Sequence, residues 1–461
     1  MVDTDAIDLR IDVPRAHCAL AGLAADVRAR LRQELGLPSG VVTGAGHQPV
    51  VWHAGLLAKF IAASADAAAL SPTGVWLHFV SDQDRIEPSR VELPVREASG
   101  AVRRSKLQCS TGWLRGNDQA AAAWYPAFSP SVPEAACASE AASEARDALL
   151  QQLRAAQREP SAALQFATAV GACAERWTGK PARVIGSAAL LRAAAPLIEQ
   201  VLREPERSAV AFNEALREDP HAARPLRVAG DASEVPLWGI AESGARERIS
   251  AAEARSAMHD GRTLLPRAFF AAGLLRLCCD CFYHGTGGAR YERVGEVWWR
   301  QFFGIDLPPF GVATATLLPT PAALGIRAVP ARMHASHRRL WWNPHLVTRN
   351  PTHDSARRAM VERIAHAPRR SAERAAHYAA LHDSIARERS AVAQQLDQVR
   401  VDESANSAAL KESALAQDRT WPFLLLERAS LDALAASIRH AVLRARRDPP
   451  PPPRAHPPKH A

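Results

Sequence analysis

Apolar residues along this chain come in short runs separated by polar or glycine-rich breaks, and the period of the runs changes from segment to segment. Val41–Thr43 is β-branched and leads straight into Gly44-Ala45-Gly46. From His53 to Leu70, the residues Leu56, Leu57, Phe60 and Ile61 fall at helical spacing. Val75–Val80 is mostly apolar and stops at Ser81-Asp82-Gln83-Asp84. Strand, glycine turn, helix and strand make a βαβ unit, and such units build parallel sheets. Near-continuous apolar strands are what a sheet covered on both faces requires.

The same reading predicts a second α/β stretch. A strand over Arg183–Ser187 is followed by a helix from Ala188 to Leu202 and a short strand at Glu234–Trp238. Leu264–Phe282 is long and apolar enough for a buried helix and strand in succession, and a helix from Tyr291 to Phe303 is stopped by Gly304. Residues 120–156 are rich in alanine, serine and glutamate and read as a partly exposed helical insertion. Beyond Asp354, Tyr378, Leu381, Ile385, Val392, Leu396 and Val399 form a heptad-like stripe on a long helix, whose beginning Pro368 breaks or kinks. A second helix after Ser430 carries Leu431, Leu434, Ile438 and Val442 on one face, which suggests an antiparallel hairpin arm. The proline-rich basic end cannot bury a core and is expected to be disordered. The expected divisions are 1–118 and 181–353 for two parts of one α/β core and 119–180 for a helical connecting insertion. The arm takes 354–447 and the tail 448–461.

Composition narrows the class. A chain of 461 residues with 47% hydrophobic content predicts two or three units around a sizeable core. No apolar run is long enough for a membrane span, and Met1–Arg15 lacks the pattern of a signal peptide, so a cytoplasmic address is expected. The cysteines number seven; Cys278, Cys279 and Cys281 cluster, but no second pair stands at zinc spacing. They read as reduced, buried residues rather than metal ligands. The net charge of +9 comes from dispersed residues and partly from the tail, with no basic stripe carrying interleaved aromatics, which argues against nucleic acid. Lysine is scarce, confined to Lys59, Lys106, Lys180, Lys411 and Lys459, so a lysine beside a candidate site carries weight.

Three constellations offer chemistry. The first is Thr43-Gly44-Ala45-Gly46-His47-Gln48-Pro49 with His53 and Lys59. Glycines after a strand let backbone approach a ligand, and the following helix presents its N-terminus to an anion. A plain glycine turn with a surface histidine is the bland alternative. The spacing lacks the full dinucleotide fingerprint, so no NAD is inferred. The second is Asp82-Gln83-Asp84 with Glu87, at the carboxyl end of a buried strand, where open α/β sheets bind ligands. Asp82 and Asp84 can converge to bind a metal, orient an amine or act as general base, with His47 able to donate to a phosphate or carboxylate or to act in proton transfer, or Asp82 can simply cap the next helix. The third is His284-Gly285-Thr286-Gly287-Gly288 with Tyr291, either amides facing an anion or a flexible turn. No nucleophile elbow and no P-loop is present. All three segments follow expected parallel strands, so they are expected to line one cleft.

The order of these motifs resembles the bacillithiol-synthesis cysteine-adding enzyme family. That family has a threonine–glycine–glutamine–glutamine turn, a lysine on the next helix and an acidic–histidine–acidic motif after the next strand. Here Val42-Thr43-Gly44…Gln48, Lys59, then Ser81-Asp82-Gln83-Asp84 and Glu87 follow in that order. Leu265-Pro266-Arg267-Ala268-Phe269, Gly287-Gly288-Ala289-Arg290-Tyr291, Phe303-Gly304-Ile305, Pro308 and Ala315-Thr316-Leu317 continue it, so the resemblance covers residues 40–320 in patches. There are departures. His47 stands for the first glutamine, Ala45-Gly46 intrudes before it, and Gln83 replaces the central histidine.

The resemblance implies a Rossmann-like parallel-sheet core, a helical insertion and a C-terminal coiled-coil arm that dimerises the protein, chiefly through residues 372–400. It implies transfer of cysteine to the amino group of a sugar–malate acceptor. Asp82, Asp84 and His47 would then be catalytic. Thr43, Gly44, Gln48, His53, Lys59, Gln83, His284, Gly285, Gly287, Gly288 and Tyr291 would bind the small-molecule substrate. The acceptor, and any use of a nucleotide or metal cofactor, stay unassigned. The alternative is a non-catalytic ligand-binding or scaffold protein that kept the fold, and Gln83 favours it.

Overall fold

The computed structural model describes residues 8–14, 20–110, 120–131, 137–326, 337–348, 351–368, 371–405 and 407–447. The expected tail lies outside the described residues. The strands are β1 (Asp8–Asp12), β2 (Val42–His47), β3 (Val75–Val80), β4 (Arg90–Arg96), β5 (Val102–Gln108), β6 (Arg183–Gly186), β7 (Glu234–Ile240), β8 (Arg246–Ser250), β9 (Leu264–Pro266), β10 (Cys281–His284) and β11 (Phe310–Thr316). The main sheet has the order β1-β11-β10-β2-β3-β6, parallel throughout except for β1, which runs antiparallel on the edge. β4 and β5 form a separate antiparallel ribbon, and β8-β7-β9 a small antiparallel sheet. The protein is thus a mixed α/β structure built on a mostly parallel six-stranded sheet. No described helix is long and apolar enough to cross a membrane.

Successive strand residues face opposite ways, so each central strand feeds two cores. Ala45, Trp76, Tyr283 and Ala313 pack against Leu57, Phe60 and Ile61 of the helix Ala54–Leu70. His53 caps that helix, its Nδ1 accepting the Gly55 amide at 3.1 Å. On the opposite face Phe79, Ile185 and Phe282 meet the helices Leu23–Glu34, Ser187–Ala193, Phe269–Cys278 and Thr286–Phe303. At the amino ends of β2 and β10, Asp280 accepts the Val42 amide at 2.8 Å and pairs with Arg28 and Arg32, each at 3.0 Å. Cys278, Cys279 and Cys281 are buried and unpaired.

Several expectations need correction. Gly44-Ala45-Gly46 is not a turn; it continues β2 to His47. The two glycines make room rather than a bend. A Cβ on Gly44 would lie 2.8 Å from Cys279 Sγ and 3.1 Å from the Phe282 ring, and one on Gly46 would lie 3.0 Å from Phe79 and 3.2 Å from Phe282. The helix expected over 188–202 divides at Ala194 into Ser187–Ala193 and Ala195–Arg203. The insertion is helical over Glu140–Ala155 and Ala162–Thr178 and partly exposed, as expected, with Leu149, Leu153, Phe166 and Val170 on the face that enters the main core. The last helix, Arg428–Arg447, does not join a hairpin arm. Leu431, Leu434, Ile438 and Val442 enter the core beside Ala54–Leu70, and Arg446 clasps the buried Asp66 at 2.6 Å. The heptad stripe is interrupted at Val392, between the helices Ala372–Ala391 and Ala393–Ala405. Val392 and Leu396 are covered by Leu340 of the same chain, while Tyr378 stays exposed.

Gly44→Ala is expected to destabilise the protein by about 1–3 kcal/mol through overpacking against Cys279 and Phe282. Gly171→Ala, at a helix position with nothing within 4 Å of the new Cβ, is expected to be neutral or to stabilise by up to about 1 kcal/mol. Urea unfolding of both variants checks the pair, and equal effects would refute the spacing role given to Gly44.

Candidate functional site

Taken in chain order, the parallel strands wind from β2 through β3 to β6, then return to the other side of β2 for β10 and β11. The winding therefore reverses between β2 and β10. Open sheets bind ligands in the crevice outside the carboxyl ends at such a point, because the two connections leave in opposite directions and part there. A cavity of about 600 Å³ occupies this position. Gly46, Ser81, Gln83 and Asp84 come to it from the β2 and β3 ends, and Phe282, His284, Tyr291 and Glu292 from the β10 side. Trp238, Arg246 and Arg267 form a wall from the small sheet and its continuation.

The wall is cationic. Arg246 and Arg267 each hold their guanidinium carbon 4.7 Å from the Trp238 ring centroid, a cation–π contact that orients both groups. Arg246 donates to the Gln83 carbonyl at 2.7 Å and reaches Asp84 at 3.4 Å. Arg267 is only 3% exposed and donates to the Arg224 carbonyl at 2.8 Å. Its Nη1 lies 3.8 Å from Glu234, and among the described residues it has no hydrogen-bond partner. Burial, and then Arg248, push this guanidinium down to about 10, which leaves it charged at neutral pH. Arg85 and Arg224 add two exposed cations to the lining. Beside Arg267, Ala268 adopts φ 48°, the one positive-φ non-glycine among the described residues, in a backbone region that costs on the order of 1–3 kcal/mol.

Opposite this wall, His284 Nε2 stands 3.0 Å from Glu292 Oε1, whose other oxygen is 3.1 Å from Arg276. Burial pushes the Glu292 carboxyl up, but His284 and Arg276 outweigh it and hold the group below the usual range, so Glu292 is an anion. Asp84 accepts from Gln48 Nε2 at 2.8 Å. The ensemble can hold an anion against fixed guanidinium groups and offers an imidazole and a carboxylate for proton transfer.

No protein-family model matches the chain, and no curated protein sequence matches it.

The residues expected at one cleft divide among several places. Gln83, Asp84, His284 and Tyr291 line the switch-point cavity. His47 and His53 face a second cavity of about 500 Å³ instead, because His47 follows Gly46 on the strand and points to the other side. Gln48 bridges to Asp84 at the loops between them. Thr43 is buried and donates to the Ala63 carbonyl at 2.6 Å, and Gly44 is a packing position. Lys59 is buried with its Nζ on the Gly46 carbonyl at 2.6 Å, and burial brings it down to about 7. Gly285 is the N-cap of the helix Thr286–Phe303, with Gly287 and Gly288 in its first turn. A Cβ on Gly288 would lie 2.6 Å from His284 Nδ1, so its smallness serves the histidine rather than an anion. Sequence reasoning missed Arg85, Trp238, Arg246 and Glu292 as site residues, and it quoted Arg267 only within a motif. In so arginine-rich a chain the relevant guanidinium groups carry no distinguishing local signal.

Asp82 is a structural residue. Its Oδ1 accepts the Ser187 amide at 2.9 Å and so caps the start of the helix Ser187–Ala193, while Gln83 accepts from the Ser187 hydroxyl. Burial first, against the Ser187 hydrogen bonds, raises its carboxyl from 3.8 to about 6. The folded state therefore holds the proton more tightly than the unfolded chain. The stability involved is fully present below about pH 4 and is lost as pH rises through about 6. Asp82→Asn keeps an acceptor for the Ser187 amide and removes the titration. It is expected to flatten stability between pH 4 and 6 in urea unfolding, and an unchanged pH slope would refute this role.

Proposed function

We propose that this chain is a carbon–nitrogen bond-forming enzyme similar to the bacillithiol-synthesis cysteine-adding family, with a Rossmann-like core. It would hold an anionic acceptor in the switch-point cavity. The observation that carries the reading is the pair of guanidinium groups, Arg246 and the buried Arg267, that lines that cavity with both set against the Trp238 ring. Arg267 and Arg246, set by Trp238, bind carboxylates of the acceptor, and Arg85 and Arg224 extend the positive field. Joining the cysteine carboxyl to the acceptor amine forms the carbon–nitrogen bond, breaks a carboxyl carbon–oxygen bond and releases that oxygen as water, and the amine must lose a proton on the way. His284, oriented by Glu292, is placed to receive it and supplies the imidazole that Gln83 does not, with Asp84 orienting the amine.

A second reading is favoured by one feature. Asp82 and Gln83, two residues of the acidic motif, are both engaged at Ser187, which suits a binding protein without catalysis. Titration calorimetry and a cysteine-transfer assay with a sugar–malate acceptor separate the readings. Arg267→Met is expected to weaken malate binding about tenfold or more. His284→Gln is expected to lower turnover about 10²–10⁴-fold while leaving binding nearly unchanged. Malate binding that ignores Arg267→Met sinks the site, and a native protein that binds but never transfers cysteine leaves the binding reading.

The helices Ala372–Ala391 and Ala393–Ala405 serve as a coiled-coil arm in this proposal, pairing two copies through the exposed Tyr378 side of the stripe. Light scattering is expected to give a dimer mass, and a monomer mass across a wide concentration range would refute it.

A further inference from the structure

Arg276 does not line the switch-point cavity, yet it touches a carboxylate that does. It comes from the helix Phe269–Cys278 and is 1% exposed. Its Nε donates to the Pro308 carbonyl at 2.7 Å, just ahead of β11, and its guanidinium carbon lies 5.1 Å from the centroid of the Phe310 ring. These contacts fix the fork. Nη1 then meets Glu292 at 3.1 Å, and Nη2 meets Glu296 at 2.6 Å. The two carboxylates are four residues apart on the helix Thr286–Phe303, so one guanidinium reaches both. Phe310 also stands edge-on to the His284 ring, with centroids 5.6 Å apart.

Arg276 brings one positive charge to two carboxylates, so the cluster carries one negative charge in excess. His284 Nε2 is 3.0 Å from Glu292 Oε1, but neither atom has an aligned hydrogen-bond partner among the described residues. Glu292 therefore acts on the imidazole through its charge more than through bond direction. A proton taken up by His284 cancels the excess, and burial makes that balance strongly felt. Tyr291 adds no charge here, because burial keeps its phenol protonated, and Asp84 and Arg267 face it from across the cavity. Arg293, next to Glu292, turns to solvent. We infer that Arg276 is a positioning residue: shared between Glu292 and Glu296, it sets how tightly the His284–Glu292 pair holds a proton. Without Arg276 the pair would keep its proton, and His284 could not accept another. Without Glu296 the whole cation would fall to Glu292, and the pair would hold the proton weakly. That His284 takes its proton from an amine rests on the condensation reading above; the charge balance does not.

Imidazole nuclear magnetic resonance of the full chain across pH tests this, with the His284 signal assigned from its loss in His284→Gln. In Arg276→Met that signal is expected to titrate about one pH unit or more above the native midpoint, and in Glu296→Gln about half a unit below it. The Glu296 side chain is 33% exposed, so its variant keeps the fold even where loss of the buried arginine does not. Arg276→Met combined with Glu292→Gln removes the buried pair together, which a fold tolerates better than an unpaired carboxylate. Measured against Glu292→Gln alone, both shifts are expected to shrink at least about threefold, because the charge through which Arg276 and Glu296 act is gone. A loss of packing does not produce opposite shifts that shrink together. An unmoved His284 signal in Glu296→Gln overturns the inference, as do shifts that persist in full without the Glu292 carboxylate. The acidic limb of the pH profile of cysteine transfer is expected to move with the imidazole signal. An imidazole that titrates as expected in a protein that transfers no cysteine would uphold the charge balance and remove the condensation reading instead.

Discussion

The Phe282 ring lies against β2 where Gly44 and Gly46 have no side chains, and the site depends on that contact. β2 and β10 are neighbours only because the chain crosses over the sheet to reach the other side of its starting strand. At that seam no extra side chain can be accommodated on one face: Cβ atoms at 44 and 46 would press on Cys279, Phe79 and Phe282. Asp280 fixes the opposite end of the same seam by joining the Val42 amide to Arg28 and Arg32. Such an anion survives burial because it is both paired and hydrogen-bonded. With the amino ends clamped and the middle packed, the carboxyl ends part in fixed directions, and the cavity between Gly46 and His284 follows from that divergence.

What fills the cavity's rim is a matter of electrostatics rather than packing. Guanidinium groups are less strongly hydrated than ammonium and can lie flat on an indole, so Trp238 can carry Arg246 and Arg267 together although burial lowers both. Asp84 and Glu234 answer part of this charge, and Glu292 is already committed to His284 and Arg276. The excess is positive, and it faces a hollow. The strained backbone at Ala268 adjoins the most buried of these arginines, a placement that fits strain stored to hold a binding group rather than to stabilise the fold.

Much of the scaffold was legible from periodicity. The runs at Val75–Val80, His53–Leu70 and Tyr291–Phe303 became a strand and two helices within a few residues, because apolar spacing and end signals such as Gly304 agree there. The carboxyl-edge location of the site was legible for the same reason: three chemistry-bearing segments each followed a strand. The role of Gly44 and Gly46 was not, since a glycine that admits a neighbouring ring looks the same in sequence as one that turns the chain. Nor was the division of the cleft, which turns on Gly46 and His47 being consecutive in an extended strand instead of sharing a loop. β7–β9 and its arginines come from a region whose partners lie far away in the chain, and Leu431–Val442 displays a face that suits a hairpin partner as well as a core. Only tertiary contact distinguishes those outcomes.

The loop after β3 joins these levels. Asp82 and Gln83 turn inward to Ser187 and anchor the loop to β6 and the helix beyond it, and Asp84 turns toward Gln48 and Arg246. Arg85, next in line, is left to line both cavities. The loop is thus held at its first three residues and borders both cavities at its fourth. Arg85 is exposed and is fixed to no carboxylate of its own among the described residues. An anion in one cavity would lower the positive field felt in the other only as far as the exposed Arg85, which lines both, is shared between them.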